Sequence, residues 1–421
     1  MKLTIRFALA IGIATASATV TPQVEGQVNG VGISAPALFD NVINIPSSPN
    51  FGPGQSVGGV AGQTTQINLS DGGSIGGNFD ALSGTELNVS GGTVGGSLEA
   101  EAGSEVNVSG GSTGTIIANG DSVVTVTGGS TGTVFADDNS TANLLGGSPG
   151  GFQGRGNGTI NVSSGNFGPF ATTGARDNSN LNIDGAIIDR FFSFSSGGVL
   201  NFSSGNLGDN ASVFSGTTNF TGGEAGSVDV SGDAVVNISD GTLGGITSVG
   251  DSLLNIDGGT FGSVSANSGT VNITDAFVGG VLVNGGVVNI SGGVFEDGLR
   301  NIRGGVLNIS GGTFDQIIDI EDDSIANLFG TDFAIDGQLI EFTGDSLTIF
   351  QRGGETLTGI LEDGSIFSLG LNPSAGGDAT IDVVEPSTTL TINRAVPEPG
   401  SATLVFLAIA GLTGLCRRTA A

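Results

Sequence analysis

The sequence predicts an all-β chain: a three-sided parallel β-solenoid, with a right-handed path favoured, closed by a C-terminal β cap and followed by a terminal hydrophobic helix. Three observations predict it. A short anchor of apolar, Asn, apolar, Ser or Thr, Gly-Gly recurs along the chain, apolar positions recur at constant offsets within each copy, and 78 glycines occur without the every-third spacing of collagen.

The anchor asparagines fall at 68, 88, 107, 143, 161, 182, 201, 219, 237, 255, 272, 289, 308 and 327, with Thr125 taking the place once, so fifteen copies follow one another at spacings of 17 to 21 residues. Clear copies are Leu87-Asn88-Val89-Ser90-Gly91-Gly92 and Val288-Asn289-Ile290-Ser291-Gly292-Gly293. Strand alternation places the two neighbours of each Asn on one face and the Asn on the other.

Further apolar residues recur six positions after the Asn (Val94, Phe167, Leu207, Leu243, Phe261, Phe295, Phe314) and nine or ten positions after it (Leu98, Ile117, Phe135, Phe192, Val264, Leu299, Ile318). Three apolar segments per copy, separated by Gly-rich corners, describe a coil with three sides and an aliphatic interior. One such coil cannot bury its apolar side alone, so coils must stack. Fifteen of them at strand spacing give a rod about 70 Å long. The hand of parallel crossovers favours a right-handed path. A hexapeptide helix needs apolar residues every six positions, which this pattern lacks.

The organisation expected along the chain is a signal peptide at 1–18, a leader and N-terminal cap at 19–66, and solenoid repeats at 67–330. A C-terminal β cap at 331–384, a linker at 385–396 and a sorting and membrane segment at 397–421 follow. The leader contains Pro36, Pro46, Pro49 and Pro53 around Val42-Ile43-Asn44-Ile45, and the cap begins where the anchor gives way to simple alternation. Glu362-Asp363-Gly364-Ser365 reads as a hairpin turn.

Both ends carry export features. Lys2 and Arg6 precede an apolar run from Phe7 to Ala14 and small residues Ala14, Ala16 and Ala18, the pattern a signal peptidase reads. At the other end, an apolar stretch from Ser401 to Leu415 is followed by Arg417 and Arg418, which the positive-inside bias holds on the cytoplasmic side. A helix from Pro399 to Cys416 rises about 27 Å, just enough for a hydrocarbon core. Together with Val396-Pro397-Glu398-Pro399-Gly400, this tail resembles the PEP-CTERM sorting signal of exported bacterial proteins. The resemblance covers Val396 to the end only. It implies a sorting motif at Pro397, Glu398 and Pro399 recognised by an exosortase, a membrane stop at Arg417 and Arg418, and delivery to the cell surface or extracellular matrix in company with exopolysaccharide and biofilm.

Composition narrows the chemistry. The chain has no His, Trp or Tyr, its only Cys is Cys416 and its only Lys is Lys2. A mature chain therefore lacks a His general base, a Lys for Schiff-base chemistry and an intrachain disulfide. The formal charge of −29 argues against nucleic acid as a partner. No catalytic, cofactor-binding or metal-binding residue stands out. Acidic groups at Asp137-Asp138 and at Asp319, Glu321, Asp322 and Asp323 offer oxygen ligands for calcium, but neither follows a calcium-loop spacing, and solvated corners are the simpler reading. The Asn column reads first as a structural ladder and second as a polar array for sugar chains. Its Asn-x-Ser/Thr matches, Asn88 and Asn289 among them, arise from the repeat itself.

The function expected is an exported, noncatalytic structural or adhesive surface protein. The alternative is a carbohydrate-active β-helix enzyme, a hydrolase or lyase, argued from fold analogy. Against a lyase, the body arginines are scattered and only Arg300 and Arg303 lie close in sequence. A surface-binding array for ice or mineral ranks third.

Overall fold

The computed structural model describes residues 39–45, 51–167, 172–188, 192–194, 197–209, 211–315, 317–374 and 381–394. The signal peptide, the sorting motif at Pro397, Glu398 and Pro399, and the stop residues Arg417 and Arg418 lie outside the described residues. Within them every regular element is a strand, and these strands wind into a parallel β-solenoid of about 14 turns.

One coil shows how the sequence makes the turn. Thr85–Val89 is the anchor strand, Thr93–Val94 and Leu98–Ala100 follow, and the next coil repeats them as Glu105–Val108, Ser112–Thr113 and Ile116–Ala118. Each strand pairs in parallel with its counterpart one coil away, placing Leu87 on Val106, Asn88 on Asn107 and Leu98 on Ile116. Anchor strands stay in register although the repeat length varies. Local irregularities fall just beyond the anchor, as between Phe220, Thr221 and Glu224, where the register is restored at once, and in the third strand, as between Leu282 and Val283, where one extra residue is taken up.

The residues flanking each Asn point inward and are buried, as with Leu87 and Val89, Leu254 and Ile256, or Leu307 and Ile309. Their burial at roughly 25 cal/mol per Å² of apolar surface drives stacking, because a column is closed only by the coils above and below it. Phenylalanines fill the wider corner, with Phe152 and Phe167 edge to face at 4.9 Å and Phe295 stacked on Phe314 at 5.0 Å. Two expected interior residues face out instead. Ile117 and Phe135 are half-buried on the outer surface, whereas Ile116, Ala118, Val134 and Ala136 point in, because pairing shifts the third strand by one residue and so exchanges its faces. Arg155 covers the displaced ring, its guanidinium carbon 4.0 Å from the Phe135 centroid.

The second glycine of the anchor is required at Gly111. Its φ is 71°, and a Cβ there would lie 2.7 Å from the carbonyl carbon of Gly91 in the preceding coil. The corner therefore needs both left-handed backbone and the absence of a side chain.

Both ends of the solenoid differ from the expected boundaries. The first rung is Asn41–Ile45, which pairs in register with Thr65–Leu69 and sets Asn44 beneath Asn68, so the repeat starts inside the segment expected to be the leader and cap. At the other end, Thr389–Arg394 lies in the expected linker yet forms a strand. It adds to Ile325–Ile335 as a further parallel rung and buries Leu390 and Ile392, whose alternation with Thr and Asn continues the anchor's two faces. Ser346–Ile349 then pairs antiparallel with its free edge. This reversal of direction ends the parallel template.

The hairpin of Thr356–Leu361 and Ile366–Gly370 lies against the last coils and turns at 362–365. Its Asp363 latches onto a coil corner: the carboxylate accepts the Gly312 amide at 2.7 Å, the Ser365 amide at 2.8 Å and the Ser365 hydroxyl at 2.6 Å. Burial pulls this carboxyl upward, but those hydrogen bonds outweigh it and hold its pKa below the ordinary 3.8. Arg352 links the cap to the turn before the last rung by donating to the carbonyls of Glu385 at 3.5 Å and Thr388 at 3.4 Å, besides its own neighbours Ile349 and Gln351.

Asp363→Ala should lower cap stability by on the order of 1–2 kcal/mol at neutral pH. Because the carboxyl is depressed in the folded state, its contribution is present above the ordinary carboxylate pKa and is lost as pH falls through the folded value. Urea titrations of both proteins at neutral and strongly acidic pH check this, with the difference expected to shrink in acid. A second variant tests the interior. Thr218 stands in the inward column between Leu200 and Val236, fully buried, and its hydroxyl has no partner. Thr218→Val should stabilise the chain by about 1 kcal/mol, read as a raised urea midpoint.

Candidate functional site

The most regular polar structure is the column of anchor asparagines on the outward face. From Asn68 on each is half-buried between its neighbours, and within each run the side-chain NH2 donates to the Oδ1 of the Asn one coil nearer the N-terminus. The bonds measure 3.1 Å for Asn88 to Asn68, 3.0 Å for Asn237 to Asn219, 2.9 Å for Asn255 to Asn237 and 2.8 Å for Asn327 to Asn308. All run in the same direction, so the amide dipoles align. Thr125 breaks the column, leaving one run from Asn44 to Asn107 and a longer one from Asn143 to Asn327.

Two columns flank the asparagines. Two residues later, Ser or Thr hydroxyls turn back onto the preceding coil, as Ser90 does to the Leu69 carbonyl at 3.1 Å and Ser203 to that of Ile183 at 3.2 Å. Two residues earlier, the column begins with Val42, continues with Gln66, Glu86 and Glu105, and from Val123 onward carries only Val, Thr, Asn, Leu and Ile. The Asn-x-Ser/Thr matches at Asn88 and Asn289 are thus committed on both polar residues: Asn to the ladder, Ser to a carbonyl.

A third regular polar feature escaped the reading of the sequence. Three residues before the Asn, the chain turns inward through a small residue, buried at Ser104, Ser122, Ser140, Ser179, Ser252 and Ser324. Ser140 bonds the Ala118 carbonyl at 2.9 Å and Ser324 that of Ile302 at 2.8 Å, whereas the Ser122 hydroxyl is buried without a partner. The signal was available as a recurrent Ser, Thr, Gly or Ala at that offset, obscured because four residue types share one size requirement.

Three of the acidic residues weighed for calcium occupy corners. Asp138 has a φ of 57°, and Asp322 and Asp323 have 48° and 56°, so they take the left-handed turn positions that glycine fills elsewhere and that Asp tolerates. Asp319 is on a strand, where burial and then Glu321 raise its carboxyl, while Glu321 is paired with Arg303 at 2.9 Å. Burial raises the Asp137 carboxyl as well, against the lowering effect of Arg155. Among the described residues no three of these groups converge on one point. Arg300 and Arg303 also diverge: Arg300 donates to the Asp297 carbonyl at 3.0 Å, and Arg303 binds Glu321 and Asp322.

A groove of about 670 Å³ lies on the cap, lined by Phe333, Phe342, Leu339, Ile340 and Arg394 among others. Its lining is mainly apolar, and the Arg394 guanidinium carbon stands 5.2 Å from the Phe342 ring centroid.

The chain matches no family model, no curated protein and no solved structure.

The ladder predicts a pH signature. Asn237→Asp removes the donor to Asn219 and sets an ionised acceptor against another acceptor, costing about 1–3 kcal/mol at neutral pH. Below the ordinary carboxylate range the new group is protonated and regains a donor, so part of the loss should return. Thermal unfolding of the variant at neutral and acidic pH measures it.

Proposed function

We propose that this chain is an exported, noncatalytic structural or adhesive rod, carried to the cell surface or extracellular matrix by its PEP-CTERM-like tail. The observation that supports the reading is the run of stacked coils from Asn41 to the strand ending at Arg394, whose polar side chains are spent mainly on holding one coil to the next. In this reading the coils are three-sided and right-handed, in keeping with three strand segments per turn and the usual hand of parallel crossovers.

The terminal residues then act in sequence. The N-terminal segment directs export, the apolar helix up to Cys416 anchors the precursor in the inner membrane, and Arg417 and Arg418 hold the stop. Exosortase-type machinery reads Pro397, Glu398 and Pro399 and frees or transfers the rod. No cofactor is required, and calcium adds nothing to the rod's stability in this account.

Mass spectrometry of the protein recovered from its host tests the sorting step. Peptides ending before or within Pro397–Pro399, together with protease sensitivity of the rod on intact cells, are the expected outcome. An intact C-terminus at Ala421 on a rod inaccessible from outside would contradict it.

A further inference from the structure

We propose that the outward anchor face between Val123 and Ile325 is a docking surface for a neutral polysaccharide laid along the solenoid. The proposal rests on the adhesive reading above and names its partner class.

Charge placement is the first argument. The chain carries 40 acidic residues and a formal charge of −29, yet the Asn column and the column two residues before it hold no charged side chain from Val123 to Ile325, and the column two residues after it holds two, Asp184 and Asp257. Acids lie elsewhere on these coils, at corners such as Asp138, Asp177 and Asp322 and on third strands such as Asp229 and Asp319. The same column is charged nearer the N-terminus, where Gln66 bonds Glu86 at 3.0 Å and Glu86 stacks on Glu105. A polyanion is repelled by the molecule as a whole, and a polycation finds only Asp184 and Asp257 on this face, with the other carboxylates of these coils off it. An uncharged, hydroxyl-rich polymer meets neither obstacle.

Hydrogen-bond accounting is the second. An Asn amide has two N–H donors and two acceptor lone pairs, and within the ladder each interior Asn spends one of each, as Asn237 does with Asn219 and Asn255. One N–H and one lone pair per coil remain, repeating every 4.8 Å or so along a face about 50 Å long. The hydroxyls of Thr141, Thr159, Thr217 and Thr270 make no hydrogen bond to another described residue, while Val235 and Val287 offer apolar surface to the faces of sugar rings. The asparagines are already held by their neighbours, so docking a chain leaves few amides to order.

The test compares Thr217→Glu/Thr270→Glu with Thr247→Glu/Ser265→Glu, which adds the same charge to the third-strand face. Full-length proteins in mild detergent, matched in circular dichroism and melting temperature, are sedimented with microcrystalline cellulose, calcium alginate beads or ice. The expected result is retention of the parent on cellulose, at least tenfold weaker retention of the anchor-face variant, and unchanged retention of the control. Equal behaviour of the two variants, parent retention on alginate or on ice in place of cellulose, or no retention on cellulose would overturn the proposal. Surface exposure on intact cells is read separately, so the polysaccharide partner can fail while the exported rod stands.

Discussion

Every coil is held by the in-register backbone ladder that joins it to the next, and the remaining features of the solenoid depend on that ladder. Pairing Asn on Asn, Leu on Val and Gly near Gly aligns side chains into columns, so each position experiences almost the same environment in every coil. The interior columns supply the apolar burial that a single coil lacks. The Gly corners permit close approach of successive backbones, and variation in coil length, such as the extra residue in the third strand at Arg300–Ile302, leaves the anchor register undisturbed.

Much of this was legible because one residue type, Asn, marks one position, and period-two alternation then assigns its neighbours inward. The third strand was less legible. Ile117 and Phe135 fit an apolar count, but a count nine or ten residues from a marker leaves parity open, and a one-residue shift reverses the face. The strand Thr389–Arg394 was missed because Thr391 replaces the marker Asn, although Leu390 and Ile392 keep the inward pattern. The Asp363 latch joins residues 51 positions apart and has no local signature at all.

The polar columns divide the work between stability and recognition. Hydroxyls after the Asn and small residues before it satisfy carbonyls and shape corners, and the acidic turns at Asp138, Asp322 and Asp323 replace glycine. Interior asparagines of the longer run are held in line while one N–H and one lone pair of each stay outside the ladder. That combination explains how a chain without His or Trp, and with its single Lys at position 2, can present an ordered recognition surface.

The most direct test of coil-by-coil stacking is removal of one whole coil. Val235 is equivalent in register to Leu253, so deletion of residues 235–252 joins Ala234 to Leu253 and brings Asn219 beneath Asn255. Urea unfolding of the shortened chain, followed by circular dichroism, is the measurement. The predicted result is a folded β protein that unfolds cooperatively with a slightly smaller m-value, because one coil's surface is absent. Loss of the β signal, or a broad noncooperative transition, would contradict the account.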